Sequence, residues 1–286
     1  MTNVPKISVI CSGIRVENWK KFHENLSLSK IEFEVIIAGN IKPDFKLPSN
    51  FHFIYTNVKP AQCVEIGVRK AKSDLIMILA DDVKCSDNFL DTMYETYMIN
   101  CAKTDVISCL FMKFKKLWPS EMYKFWPGVY GSPVLAMGMM MNKEVWTKLG
   151  GIDKRFIAIY WDLDIFLRLL ESGGKHYICK SAIVEEIFPF YDRIFLQYPS
   201  YSKLIKKLFF NKNLHPSLWR TYGLNIDRPT LDNLWVKDID SENYKTDKYY
   251  AKKNNLIHLK ERLYKVHSFT NENILQFSQG PKGKWD

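Results

Sequence analysis

Five short apolar runs punctuate the N-terminal part of the chain: 7–11 (ISVIC), 33–38 (FEVIIA), 51–56 (FHFIYT), 75–80 (LIMILA) and 105–111 (DVISCLF). They are rich in Val and Ile and mostly continuous, which predicts strands buried on both faces. The stretches between them carry apolar residues at helical spacing. Val16, Trp19, Phe22 and Leu26 mark one helix, and Val64, Gly67, Val68 and Ala71 mark a second. A third carries Phe89, Met93 and Tyr97 on one face, with Ser86-Asp87 as its expected N-cap. Strands alternating with helices predict a mainly parallel sheet with helices on both faces.

The pattern changes near residue 115. Residues 115–133 combine prolines, glycines and aromatics and read as an ordered loop. A strand is expected over 134–141 and a helix over 142–149, ended by Gly150-Gly151. Met137, Met139, Met140 and Met141 in that strand read as core packing. A further helix runs from Trp161 to Glu171 and stops at Gly173-Gly174, followed by short strands near 176–179 and 182–187. Beyond Pro199 the chain is basic and aromatic, with helical pieces expected at 201–210, 216–222 and 244–266. The expected organisation is one α/β domain over 1–190 and a mostly helical, basic extension over 191–286 packed on it.

Composition narrows the class. With 286 residues, 47% hydrophobic and 25% charged, the chain can bury a large core and is not a disordered protein. Its longest apolar stretches fall far short of the roughly 20 residues of a membrane span. The apolar run at 7–11 is too short for a secretory signal, so a cytoplasmic location is expected. The cysteines Cys11, Cys63, Cys85, Cys101, Cys109 and Cys179 show no C-x-x-C spacing and read as reduced, mostly buried thiols. The net charge of +10 is concentrated in the last third, where 16 Lys/Arg face 9 Asp/Glu over 200–286.

Asp81-Asp82 directly follows the fourth apolar run. Ligands of an open parallel sheet bind beyond the carboxyl ends of its strands. Two adjacent carboxylates there repel unless a cation neutralises them, and hard divalent ions prefer oxygen ligands. Helix capping is the plain alternative, but Ser86 and Asp87 stand better placed to cap the next helix. A second acidic group opens the helix at Trp161. Asp164 and Arg168 are four apart and read as an exposed ion pair worth roughly 0.2–0.5 kcal/mol. Asp162, two residues before Asp164, points elsewhere. A first-turn carboxylate kept ionised by the helix dipole suits a general base, although acidic residues are also common in first turns for structural reasons alone.

In order along the chain stand ISVI, FEVIIAGN, GVRKAKSD leading into LIMILADDV, and GSPVLAMGMMMNKEVWTKLGGIDKRF running into YWDLDIFLRLLESGGK. This order resembles the inverting glycosyltransferases of family 2, with the Rossmann-like GT-A fold, over residues 6–187. The resemblance implies that Asp82 binds a divalent ion, Mn²⁺ or Mg²⁺, that bridges the donor diphosphate. It places Asp81 on the donor's ribose or sugar and Asp162 as the catalytic base. It assigns Cys11, Ser12, Asn40, Gln62 and Trp161 to the nucleotide-sugar site.

Four positions depart from the family pattern, one being the strand end at Glu185-Glu186, where relatives can carry a His. The second strand ends in Ala38-Gly39-Asn40 where an Asp usually recognises the base. The second helix has Val64-Glu65, preceded by Gln62, where an Arg-Asn pair is common, so Lys59 or a C-terminal Lys/Arg would have to meet the diphosphate. Trp161 replaces the first of two acids. Glu186 is a candidate third metal ligand or simply an exposed strand end, and His215 a candidate ligand or a surface or loop histidine; the other histidines have no metal spacing.

Lys203, Lys206 and Lys207 interleave with apolar residues in the extension, as on an amphipathic basic helix. A solvated helix face and docking on an anionic membrane surface both fit it. No nucleic-acid module accompanies it, so nucleic acid is not an expected partner. The implied activity is metal-assisted transfer of a hexose-type sugar, with inversion, from a nucleotide diphosphate sugar to a hydroxyl of a glycan or lipid-linked acceptor. A degenerate fold that binds a glycan or partner without turnover is the alternative. A nucleotidyltransferase is a third reading, because it too places acidic metal ligands beside a nucleotide.

Overall fold

The computed structural model describes residues 4–113, 115–117, 138–187, 226–235, 262 and 265–276. Nine strands and six helices are seen among them: β1 (Ile7–Ser12), α1 (Val16–Leu26), β2 (Phe33–Gly39), β3 (Phe51–Tyr55), α2 (Pro60–Lys70), β4 (Leu75–Ile78), β5 (Val83–Cys85), α3 (Phe89–Asn100), β6 (Val106–Lys113), β7 (Lys116–Leu117), β8 (Met140–Asn142), α4 (Lys143–Lys148), α5 (Trp161–Glu171), β9 (His176–Glu186) and α6 (Arg228–Trp235). The sheet order is β3-β2-β1-β4-β8-β6-β9-β5, with β7 paired to β6.

One half, β3-β2-β1-β4, is wholly parallel, as the alternating pattern predicts. The other half is mixed. Strand β8 runs antiparallel to both β4 and β6, β9 is parallel to β6, and β5 is antiparallel to β9. The α/β architecture therefore stands, with parallel pairing confined to one half and to β6–β9.

Each central strand divides its side chains between two cores, because successive residues face opposite sides. Ile7, Val9 and Cys11 join Trp19, Phe22 and Leu26 of α1 and Phe89 and Met93 of α3. Ile10, Ile36, Ile76 and Ile78 face Val64 and Val68 of α2 and Ile165, Phe166 and Leu169 of α5. Each such side chain contributes about 1.5–3 kcal/mol when fully buried. Leu231 and Leu234 of α6, with Phe269 and Ile274, belong to this second core. Met139, Met140 and Met141 are buried, as expected. All six cysteines are free, and all but Cys101 are buried.

Three local expectations are corrected. Ser86 and Asp87 do not cap α3. Its N-cap is Asn88, in the left-handed region at φ 53° and without a side-chain cap. Ser86 Oγ instead accepts the Ile183 N–H at 3.1 Å, and Ser29 Oγ accepts the Leu90 N–H of the first turn at 3.0 Å. The two strands expected at 176–179 and 182–187 form one strand, β9. Its register against β6 jumps from Cys109–Cys179 to Leu110–Ile183, so the polar Lys180-Ser181 pair is crossed by an irregularity. The expected strand at 134–141 is described only from residue 138, where β8 pairs over Met140–Asn142; residues 134–137 lie outside the described residues.

Elsewhere the helix signals hold. Asn142 Oδ1 accepts the Glu144 N–H at 2.9 Å and caps α4. Gly150 (φ 86°) and Gly151 (φ 64°) end it in a conformation that favours glycine. No helix among the described residues is long and apolar enough to cross a membrane. The helical pieces expected at 201–210 and 216–222, and most of 244–266, lie outside the described residues, as do the Lys203–Lys206–Lys207 face and His215.

Candidate active site

The carboxyl ends of β1, β2 and β4 converge on Asp81. Its side chain is 1% exposed and accepts four N–H donors. Oδ2 takes the backbone N–H of Ile14 (2.9 Å) and Arg15 (2.7 Å) and the Trp19 indole (3.2 Å), while Oδ1 takes Arg15 Nη1 (2.9 Å). Asp81 therefore secures the turn that leads from β1 into α1, holding the N–H groups of Ile14 and Arg15 just before the helix starts at Val16. Its structural role is to anchor this turn, not to cap the helix that follows Asp81 in sequence.

That turn needs glycine on both sides. A Cβ at Gly13 would lie 2.5 Å from Ile37, and a Cβ at Gly39 would lie 1.9 Å from the Gly13 carbonyl oxygen. Gly39→Ala is therefore expected to push the β1–α1 turn off Asp81 and to destabilise by about 1–3 kcal/mol or more. Chemical denaturation checks the size, and an unchanged midpoint would contradict the close backbone approach.

Asp82 is buried beside it and pairs with Arg15 Nη2 at 3.0 Å. Its carbonyl accepts the Ile187 N–H, and the pairing of Val83 with Glu186 brings the end of β9 alongside. Ser12 and Asn40 lie at the same sheet edge, at the ends of β1 and β2, and both are half-buried. Cys11 faces the core, where burial first, and then Asp81, pushes its thiol well above the ordinary range. Its side chain is core; only its backbone reaches the edge.

The fit of this edge to a divalent ion rests on Asp82. The oxygens of Asp81 already accept four N–H groups, so ligation by Asp81 would dismantle the α1 turn. No group of three or more His, Cys, Asp or Glu is arranged to hold a metal among the described residues. A Mg²⁺-type ion commonly uses one or two carboxylates and takes its remaining ligands from phosphate and water, so Asp82 is the residue here that could contribute a ligand.

The start of α5 forms a second cluster. Tyr160 sits at φ 62° and turns the chain sharply into the helix. The three residues before it are held by Asp227, whose carboxylate accepts the N–H groups of Ile157, Ala158 and Ile159 at 2.9, 2.7 and 2.9 Å. Asp162 follows in the first turn, half-buried, with Oδ1 accepting the Leu163 N–H at 2.8 Å. Burial raises its pKa above the usual aspartate value, against the lowering by that backbone bond. Trp161 is buried in the core, edge-on to Trp146 at 6.3 Å.

Asp164 points the other way, as the spacing predicts, but it is not exposed. It is fully buried and accepts from Arg168 Nε (3.1 Å) and Nη2 (2.8 Å), and from Arg262 Nε (3.0 Å) and Nη2 (2.8 Å). Arg262 also reaches Asp153, which Arg155 grips through two bonds. The expected surface pair is in fact part of a buried network that ties α5 to the C-terminal segment.

The second helix serves this network. Glu65 accepts from Trp146 Nε1 (2.9 Å), Ile152 N (3.1 Å) and Arg69 Nε (3.1 Å), and it fills the space a Cβ at Gly151 would need. Gln62 is fully buried, and its Nε2 donates to the carbonyls of Asn273, Ile274 and Gln276. Lys59 is buried, donates to the Lys154 carbonyl, and is lowered to about 8, chiefly by burial. These three side chains are committed to the C-terminal segment and to the turns before α5.

Three residues of these clusters escaped the sequence: Arg15, Asp227 and Arg262. The carboxylate or N–H partners that place them in these clusters lie 66 to 109 positions away. No local pattern marks such residues.

No protein-family model matches the sequence, and no curated protein matches it. Solved structures do. Residues 1–349 of TarS from S. aureus superpose with a TM-score of 0.52 at 13% identity, covering 67% of this chain and 64% of that one. The mannosyltransferase PcManGT from Pyrobaculum calidifontis, in complex with GDP-Man and Mn²⁺, superposes with a TM-score of 0.51 at 14% identity, covering 66% and 59%. The chain thus spans about three fifths of the length of these proteins. At such identity the likeness establishes a shared α/β fold.

Proposed function

We propose that this chain is a metal-assisted glycosyltransferase of the GT-A type, similar to family 2. In this reading it transfers a hexose-type sugar, with inversion, from a nucleotide diphosphate sugar to a hydroxyl of a glycan or lipid-linked acceptor. The observation that carries it is the buried Asp81-Asp82 pair at the carboxyl ends of parallel β1, β2 and β4, in a fold shared with a mannosyltransferase solved with GDP-Man and Mn²⁺. The catalytic unit is residues 1–190, with 191–286 on the acceptor side or at a cytoplasmic membrane surface.

Four residues carry the roles in this reading. Asp81 keeps the β1–α1 turn in place, which holds the backbone of Ser12 and Gly13 at the donor edge. Asn40, at the end of β2, stands where the nucleotide base is recognised and offers a donor and an acceptor in place of a carboxylate. Asp82 would hold a Mn²⁺ or Mg²⁺ ion together with the donor phosphates; when bound, that ion neutralises charge on the departing diphosphate. Asp162 takes the proton of the acceptor hydroxyl as its oxygen attacks the anomeric carbon. The attack comes from the face opposite the leaving nucleoside diphosphate, and the anomeric configuration inverts. The raised pKa of Asp162 strengthens it as a base and sets a limit, because it works only when ionised. The acid limb of the rate profile is therefore expected above the ordinary aspartate range, with activity lost as pH falls through it.

Incubation with a panel of nucleotide sugars, with and without Mn²⁺, tests the reading. Release of nucleoside diphosphate from at least one donor, abolished in Asp82→Asn, is expected. Glycan binding that survives Asp82→Asn, with no turnover of any donor, would favour the non-catalytic alternative instead.

A further inference from the structure

The acidic pair is bridged by a cation of its own chain. Arg15 Nη1 lies 2.9 Å from Asp81 Oδ1, and Nη2 lies 3.0 Å from Asp82 Oδ2. The backbone N–H of Arg15 also donates to Asp81 Oδ2, so its main chain is pinned while its guanidinium reaches across to both carboxylates. The side chain is 16% exposed, which leaves the guanidinium a path outward. A divalent ion and a guanidinium on the same carboxylate oxygen repel strongly at such distances. Asp81, by contrast, is saturated by its four donors.

The donor's diphosphate needs a cationic partner, and the second helix does not provide one. Gln62 and Glu65 stand near its start, and Lys59 is buried against the Lys154 carbonyl. A guanidinium matches phosphate oxygens in a two-pronged contact that an ammonium cannot reproduce. Resting on the reading that Asp82 holds the ion, we propose that Arg15 competes with the divalent ion for Asp82 and, once displaced, turns to the donor diphosphate. The acidic pair is thereby kept neutralised until metal and donor arrive together.

The test measures Mn²⁺ binding to the full chain without donor, by electron paramagnetic resonance of the free ion. Arg15→Gln is expected to bind Mn²⁺ about tenfold more tightly than wild type, the effect of removing one charge-assisted contact from Asp82. Arg15→Lys, whose single ammonium cannot span both carboxylates, is expected to fall between, and Asp82→Asn to lose the site. With Mn²⁺ saturating, UDP and GDP are tried as probes; the one that binds wild type is expected to bind Arg15→Gln about tenfold more weakly. Circular dichroism confirms that each variant is folded. Equal or weaker Mn²⁺ binding by both Arg15 variants overturns the competition, and undiminished nucleotide binding by Arg15→Gln overturns the second role. Tighter Mn²⁺ binding with no nucleotide binding to any form would instead sink the glycosyl-transfer reading and leave the competition standing.

Discussion

Asp164→Asn is expected to destabilise the protein by about 3–5 kcal/mol, the cost of removing one partner from a fully buried ionic network. Arg168 and Arg262 both direct two nitrogens at this carboxylate, and neither can regain water, since both are buried. An amide offers one acceptor oxygen and no negative charge, so Arg168 loses the carboxylate it pairs with and Arg262 loses one of its two. Arg168 retains the carbonyls of Leu149 and Gly151, and Arg262 retains Asp153. Those contacts keep the fold from failing outright. The effect is a large share of the 5–15 kcal/mol that typically stabilises a domain. It is also about tenfold larger than an exposed pair at this spacing would give. Urea denaturation decides the matter; a shift under 1 kcal/mol would mean the network is open to solvent.

The same network has a pH signature through Asp153. Burial alone would raise its pKa, but the hydrogen bonds of Arg155 and the charge of Arg262 hold it at about 2. The unfolded chain titrates near 3.9. The folded value is depressed, so the stabilisation is complete above about pH 4 and fades as pH falls towards 2.

Asp162→Asn, two residues away, is expected to do the opposite. Loss of a general base lowers kcat by about 10²–10⁴-fold, while folding stability at neutral pH stays level or rises. Burial raises the pKa of Asp162 in the folded chain, so ionisation there opposes folding, and a neutral amide of the same shape removes that cost. Activity falling while stability holds is the mark of a group kept for chemistry. Single-turnover kinetics with a saturating donor, alongside urea denaturation, separates the two. A kcat near wild type would remove Asp162 from the reaction. A collapse confined to Asp164→Asn, measured on protein still folded, would move the base to that position.

Much of this molecule is dictated locally. Continuous Val/Ile runs can bury both faces only in a covered sheet, so β1, β2, β3 and β4 and the helices between them follow from spacing alone. Gly150, Gly151 and Gly173 end their helices because turns there favour a backbone that other residues adopt at a cost. Asp81-Asp82 stands out as two adjacent carboxylates directly after a buried strand, but that Asp81 anchors the β1–α1 turn was not legible there. Other features had no local signal. The antiparallel entry of β8, the single bulged strand β9 and the short β5 depend on which strands meet, and hydrogen bonding between strands is indifferent to sequence distance. The exposure of Asp164 could not be read from i,i+4 spacing, because Arg262 arrives from 98 residues away to cover it. Likewise Asp227 finds the turn before α5, and Arg15 finds the acidic pair, only once the chain has folded. Local spacing marks β1 to β4, the helices between them and the acidic pair that follows β4. Which charges neutralise which is settled by the fold, because a buried ion pair is chosen by proximity in space, and the local pattern of a chain carries no record of it.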